Sequence, residues 1–262
     1  MMLVSKLGQP WSSRRLAVEV KRVLDEVPSD FGGGCPLQKA ILMAELIRTF
    51  EMKLTVDIGV YRGRSLFPQA LAHRECSGGI AIGIDPWSAA YAKQCDNDSI
   101  QAELDSWIQK TDFEGLYHDV CAHLIKFNLT AHCRLVRNSS ADALTLFEQE
   151  NIFFDMVHID GNHDTQPVMA DLANYLPRLA SRGILILDDT SWSSVKPAFD
   201  LAASKLDLII HDQERDYAVL SKSRSLLEKM HRVTQVRRLH RQAISAAACP
   251  DKPSLAVVRR FA

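Results

Sequence analysis

Between residues 53 and 220 the chain alternates short runs that are apolar on nearly every position with longer stretches of helical apolar spacing. The short runs are Lys53–Asp57, Gly79–Asp85, Cys133–Arg137, Ile152–Ile159 and Gly183–Leu187. Continuous apolar runs of this length are expected of strands covered on both faces. The spacing predicts helices over 14–27, where the pattern stops before Pro28, and over 37–50, whose residues LQKAILMAELIRTF are apolar on more than one face and so largely buried. Further helices are predicted over 64–74, 114–129, 138–148 and 192–204, with another helix-like segment between Asp160 and Gly183. Asp207–His211 and Asp216–Leu220 read as two short strands around a turn, an antiparallel edge hairpin. A helix between two parallel strands is a right-handed βαβ crossover. The expectation is therefore an α/β fold: a doubly wound, mostly parallel seven-stranded sheet with an antiparallel edge hairpin, N-terminal helices and a C-terminal helical tail. Its expected parts are residues 1–50 as a helical extension or lid, 51–221 as the sheet domain, and 222–262 as a basic tail.

The stretch from Val157 to Asp189 organises the rest. One apolar run ends in Asp160-Gly161-Asn162-His163, and the next runs into Asp188-Asp189. Parallel strands deliver these acids to the carboxyl edge of the sheet, where open α/β sheets bind ligands. Three carboxylates converging with no Lys or Arg beside them repel one another unless a cation joins them, and oxygen-rich clusters suit Mg²⁺ or Mn²⁺. At the same edge the first strand leads into Ile58-Gly59-Val60-Tyr61-Arg62-Gly63-Arg64-Ser65. Two glycines there let the backbone approach a ligand, but the G-x-x-x-G spacing departs from the dinucleotide fingerprint. Asp85 ends the second strand, where an acid can accept hydrogen bonds from a ribose diol. Asn138-Ser139-Ser140 caps a helix and becomes a ligand candidate only by lying at this edge. His158 would share a side of its strand with Asp160 and reads as a packed, hydrogen-bonded residue.

Other features bound the picture. Gly32-Gly33-Gly34 lacks the strand and the Lys-Ser or Lys-Thr of a phosphate loop, and reads as a hinge or entry-loop turn. Residues 86–112, with Trp87, Tyr91 and Trp107, read as an insertion over the site, partly helical from about Ser99. Lys222 to Arg241 is basic, which a solvated helix explains, with a contact for an acidic partner as the sharper alternative. A length of 262 residues suits one large domain with extensions, and a net charge of −1 argues against a generally electrostatic nucleic-acid binder. The six cysteines show no paired metal spacing and read as reduced thiols. With no signal-peptide pattern and no run of transmembrane length, a cytoplasmic protein is expected, and the N-x-Ser/Thr triplets at Asn97, Asn128 and Asn138 are then chance matches.

Together, Val56-Asp57-Ile58-Gly59 to Gly63, Asp85, Asn138-Ser139-Ser140 and Asp160, each after a successive strand, resemble the class I S-adenosylmethionine-dependent methyltransferases of Rossmann-like fold, over about residues 50–220. His158-Ile159-Asp160-Gly161-Asn162-His163 with Gly183-Ile184-Leu185-Ile186-Leu187-Asp188-Asp189 is similar to the metal-dependent O-methyltransferases of antibiotic and sugar tailoring, the macrocin and rhamnosyl type. The resemblance implies S-adenosylmethionine contacts from Asp57, Gly59, Tyr61, Gly63, Ser65, Asp85, Asn138, Ser139 and Ser140. It further implies Mg²⁺ (or Mn²⁺) on Asp160, Asp188 and Asp189, with His163 and Asp160 as catalytic residues and His163 the general base. The expected partner is a small-molecule hydroxyl acceptor, open among a sugar, a glycoside and a phenol; oligomeric state stays open. Two rivals stand beside it. Gly161-Asn162-His163-Asp164 also reads as a segment of metal-dependent phosphoesterases, but neither the D-x-H nor the G-D-x-x-D of that class occurs. A non-catalytic binding module would keep the fold, against which the intact carboxylate trio speaks.

Overall fold

A computed structural model describes residues 13–30, 34–96 and 99–223. The expected basic tail beyond Ser223, Gly32-Gly33 and Asn97 lie outside them. The apolar runs form strands β1 (Leu54–Ile58), β2 (Ile80–Ile84), β3 (Cys133–Val136), β4 (Phe154–Ile159) and β5 (Leu179–Asp188), followed by β6 (Asp207–Asp212) and β7 (Tyr217–Ser221). They make one seven-stranded sheet in the order β3-β2-β1-β4-β5-β7-β6. Strands β1 to β5 pair in parallel, and β7 pairs antiparallel with both β5 and β6. The predicted sheet and edge hairpin are thus present. The strand order reverses between β1 and β4, the switch point at which two crossovers diverge and a crevice opens.

Successive side chains of a strand face opposite ways. On one face Val56, Ile58, Val157, Ile159, Leu185 and Leu187 pack under α7 (Ser140–Gln149), α8 (Thr165–Tyr175) and α9 (Lys196–Lys205). The alternate positions, among them Thr55, Asp57, His158 and Asp188, are buried on the other side, toward α2 (Leu37–Phe50) and α3 (Leu66–Ala72). The pairing sets Asp57 beside His158 and His158 beside Ile186, two residues short of Asp188. A row of polar groups thus lies under the N-terminal helices. Helix α1 (Ser13–Asp25), with α2 and α3, belongs with the sheet to one compact unit that ends at Ser223.

Three elements differ from the periodicity. The predicted 64–74 helix divides into α3 and a wider π-type turn over His73–Ser77 that ends on Gly78 at φ 66°. Strand β5 begins four residues earlier than its apolar run, because Leu179 pairs with Phe154 across a register shift. Helix α9 starts at Lys196 with Pro197 in its first turn, and Trp192–Val195 instead form tight turns in which Trp192 N–H donates to Asp189 O (3.0 Å). The insertion carries two short helices, α4 (Ala89–Ala92) and α5 (Gln101–Lys110), before α6 (Phe113–Lys126).

Candidate active site

The carboxyl ends of β1, β2, β4 and β5 open into a cleft of about 570 Å³. That volume lies in the range of about 300–1,000 Å³ usual for small-molecule sites. The first wall is the glycine turn. Gly59, at φ 89°, comes so close to β4 that an added Cβ would stand 2.0 Å from the Asp160 carbonyl oxygen. Only glycine lets these two strand ends meet at the switch point. Past it the backbone is held by Asp85, whose carboxylate accepts from Tyr61 N–H (2.9 Å) and Trp87 N–H (2.6 Å). The Trp87 indole N–H donates back to Tyr61 O (2.9 Å). Tyr61 (φ 48°), Trp87 (φ 43°) and Asp189 (φ 53°) all occupy left-handed backbone and all line the cleft. Such conformations cost roughly 1–3 kcal/mol each and gather where surrounding bonds enforce them, commonly at ligand sites. Burial raises the Asp85 pKa above the usual carboxylate range, against the pull of its two amide bonds.

The opposite wall is the acidic cluster, and it divides into two halves. The outer half lines the cleft: Asp160, Asp189 and His163. His163 Nε2 stands 2.7 Å from Asp189 and 3.6 Å from Asp160, near enough for an ion pair although not aligned as a hydrogen bond. Its Nδ1 meets the Gln94 amide (3.2 Å), and its ring lies 5.0 Å from that of Trp192. Burial opposes charge on this imidazole, but the two carboxylates outweigh it and push its pKa up to about 10. The inner half lies beneath: Asp188 and His158, with the buried ammonium of Lys39 between them and Asp160. The expectation of three carboxylates with no cation beside them is corrected here, since Lys39 arrives from α2 and contacts Asp188 directly. Burial alone would raise the Asp188 pKa; Lys39 and His158 hold it well below the usual range instead. For Asp160, burial and the charge of Asp188 prevail, and its pKa rises to about 6. His158 bonds Asp57 through Nδ1, and Asp57 also accepts from the Ser65 hydroxyl (2.7 Å). Despite full burial, Asp57 and Asp188 raise the His158 pKa to about 10.

Of the residues expected to bind cofactor, Gly59, Tyr61, Ser65, Asp85, Ser139 and Ser140 line the cleft. Asp57 supports Ser65 from below, Gly63 (φ 85°) packs on the Phe67 ring, and Asn138 caps the following Ser139 N–H through its own carbonyl. The Ser140 hydroxyl donates to Asp171 on α8. Sequence reasoning missed Lys39, Gln94 and Trp192. The only signal for Lys39 was one ammonium in a helical stretch that is apolar on more than one face, which a buried helix must pair. The Gly161–Asp164 segment is also accounted for. Asn162 donates to the carbonyls of Tyr91 (3.2 Å) and Lys93 (2.7 Å), and Asp164 accepts from the amides of Cys95 and Asp96 (2.8 Å each). These side chains fasten the 86–112 insertion over the cleft, a structural use that the phosphoesterase reading does not predict.

The donor chemistry fits a divalent cation in the outer half, where Asp160, His163 and Asp189 each offer an atom, all within 4.8 Å of one another. His158, Asp160 and Asp188 form a second such group, but there the Lys39 ammonium already stands.

Comparison with known proteins agrees with this geometry. A family model described as a methyltransferase domain matches residues 56–190, from within β1 to just past Asp188-Asp189. An uncharacterised protein of Sinorhizobium fredii, y4gI, is 34% identical over 77 residues, which span 29% of this chain and only 8% of that protein. Among solved structures, the O-methyltransferase NovP superposes with a TM-score of 0.62 at 13% identity, covering 81% of this chain and all of NovP. An O-methyltransferase from Bacillus cereus in complex with SAH gives 0.53 at 16% identity (84% and 95% covered). TomG from Streptomyces achromogenes, an O-methyltransferase of tomaymycin synthesis in complex with SAM, gives 0.53 at 12% identity (84% and 93% covered). At these identities the likeness is one of fold.

Proposed function

The chain belongs to the methyltransferase domain family, whose model covers just over half of it, and from that premise we propose that it is an S-adenosylmethionine-dependent O-methyltransferase acting on a small-molecule hydroxyl with a divalent cation, Mg²⁺ or Mn²⁺, at Asp160 and Asp189. One observation carries the reading: Asp85 with its glycine turn, and Asp160 with Asp189 and His163, open from opposite walls into one cleft at the switch point. S-adenosylmethionine would supply an electrophilic methyl on a sulfonium, and a divalent ion would acidify and direct an acceptor hydroxyl.

The protein's own groups divide the remaining work. Asp85 has lone pairs left after its two amide bonds and can accept from a ribose diol. Trp87 and Ser139–Ala141 flank the same end of the cleft and offer an apolar and a small-residue surface to a base. At the other end Trp192, Gln94 and His163 form the acceptor wall. His163 is the candidate general base. With Asp160 and Asp189 unmatched it is held as imidazolium, so it can take a proton only when another cation balances those carboxylates. Asp57 and His158 lie below and position Ser65 and the strand ends rather than touching a ligand. The cytoplasmic setting expected from the sequence is part of the same proposal; among the described residues no helix is long and apolar enough to cross a membrane.

A screen of phenolic, sugar and glycoside acceptors with labelled methyl donor tests this. Transfer to an oxygen is expected, abolished by exhaustive chelation and restored by Mg²⁺ or Mn²⁺. Transfer that survives chelation would refute the metal; binding of the donor with no transfer to any acceptor class would favour the non-catalytic module.

A further inference from the structure

Lys39 is one of the most deeply buried charged side chains among the described residues, at 2% exposed. Its Nζ is 3.5 Å from Asp160 Oδ2 and 3.5 Å from His158 Nε2, and it is in direct contact with Asp188 Oδ2. Those three partners are the same three residues that form the inner group of potential metal ligands. The ammonium therefore sits where an ion bound by that group would sit. Asp160 joins the two halves: one oxygen faces Lys39, the other faces His163 and the outer group.

The charges explain why one helix residue can decide where an ion binds. The Lys39 ammonium lies directly against Asp188 on the inner side, and His158 stands between Asp188 and Asp57. The outer half keeps Asp160 and Asp189 against His163 alone. An incoming cation meets a repelling ammonium on the inner side and an excess of negative charge on the outer side. Burying an ammonium costs several kcal/mol unless it is matched by close anions, and Asp188 supplies that match.

We infer that the Lys39 ammonium is a resident cation occupying the inner position of the acidic cluster, and that it confines divalent-ion binding to a single outer position at Asp160 and Asp189. This rests on the proposed divalent site and adds that Asp188 is a counter-ion to Lys39 and no direct ligand. It also makes α2, an element N-terminal to the matched methyltransferase domain, a determinant of the metal stoichiometry.

The test is Mn²⁺ binding to the purified full chain, without donor or acceptor, by titration calorimetry and by the loss of the free-ion paramagnetic resonance signal. The wild type is expected to bind one ion. Lys39→Met is expected to bind a second, or to bind one at least about tenfold more tightly, since a repelling unit charge a few ångströms away is gone. A damaged fold would weaken binding, so a gain cannot come from misfolding. Because Lys39→Met leaves Asp188 buried without the ammonium and with His158 alone beside it, the double variant Lys39→Met with Asp188→Asn is measured too. It removes both charges, and one ion at wild-type affinity is expected. Unchanged stoichiometry and affinity in Lys39→Met, loss of the ion in the double variant, or no binding by any folded variant would each overturn the inference. If the wild type binds none while Lys39→Met binds one, Lys39 still keeps an ion out of the inner position, but the outer position, and with it the divalent site proposed for the native chain, falls.

Discussion

His73 is fully buried at the end of α3, where its Nε2 meets the Thr55 hydroxyl at 3.1 Å under β1. Burial, with smaller pushes from His132 and Lys53, lowers its pKa to about 3. The folded value is thus below the ordinary value of about 6.5, so the unfolded chain takes up this proton first as pH falls. The contribution of His73 to stability is complete above pH 6.5 and is lost progressively down to about pH 3. Between pH 6.5 and pH 5 it should cost about 2 kcal/mol, at 1.36 kcal/mol per pH unit. Denaturant melts at these two pH values should show His73→Gln losing about 2 kcal/mol less than the wild type on acidification; parallel losses would mean that burial does not lower the pKa of this imidazole. Residues at strand ends, such as Asp85, Asp160 and Asp189, were legible in the sequence, because a short apolar run announces where its next side chain will stand. His73 and Lys39 were not. Each is one polar group within a helical pattern, and the partner that gives Lys39 its meaning, Asp188, lies 149 residues away.

At the scale of elements, the insertion after β2 owes its place to the loop after β4. Asp164 stands at the N-cap of α8 without capping it, and its carboxylate accepts from the amides of Cys95 and Asp96. Asp96 returns the link by accepting from Thr165 N–H at 2.7 Å. Hydrogen bonds to a charged group contribute roughly 1.5–3 kcal/mol, so Asp164→Ala should speed hydrogen exchange at residues 95–96 by about ten- to a hundredfold. It should raise the acceptor KM while leaving donor affinity near wild type, since Asp85 and the glycine turn are on the other wall. Unchanged exchange at 95–96 would show that the insertion is held by other contacts. Periodicity located most elements to within a few residues, but not the split at His73, the early start of β5 or the turns over Trp192–Val195. These depend on cross-strand pairing and on Pro197, which act after the helical or extended pattern has been set. The insertion's docking was illegible for a similar reason: its bonds are between a loop's side chains and another loop's backbone.

At the scale of the molecule, the site exists because the strand order reverses between β1 and β4, and five parallel strands aim their carboxyl ends at one crevice. The strands and the hairpin were legible in the sequence; their order was not, since periodicity does not say which strands are neighbours. On the proposed function this crevice binds S-adenosylmethionine, with Asp85 holding the ribose. Calorimetric titration of S-adenosylmethionine into the wild type and Asp85→Ala tests it most directly. A saturable heat is expected for the wild type. In the variant, loss of the ribose contacts should weaken binding by about tenfold or more, since hydrogen bonds to a charged group contribute roughly 1.5–3 kcal/mol. No heat from the wild type at millimolar S-adenosylmethionine, or tighter binding of NAD, would contradict the account.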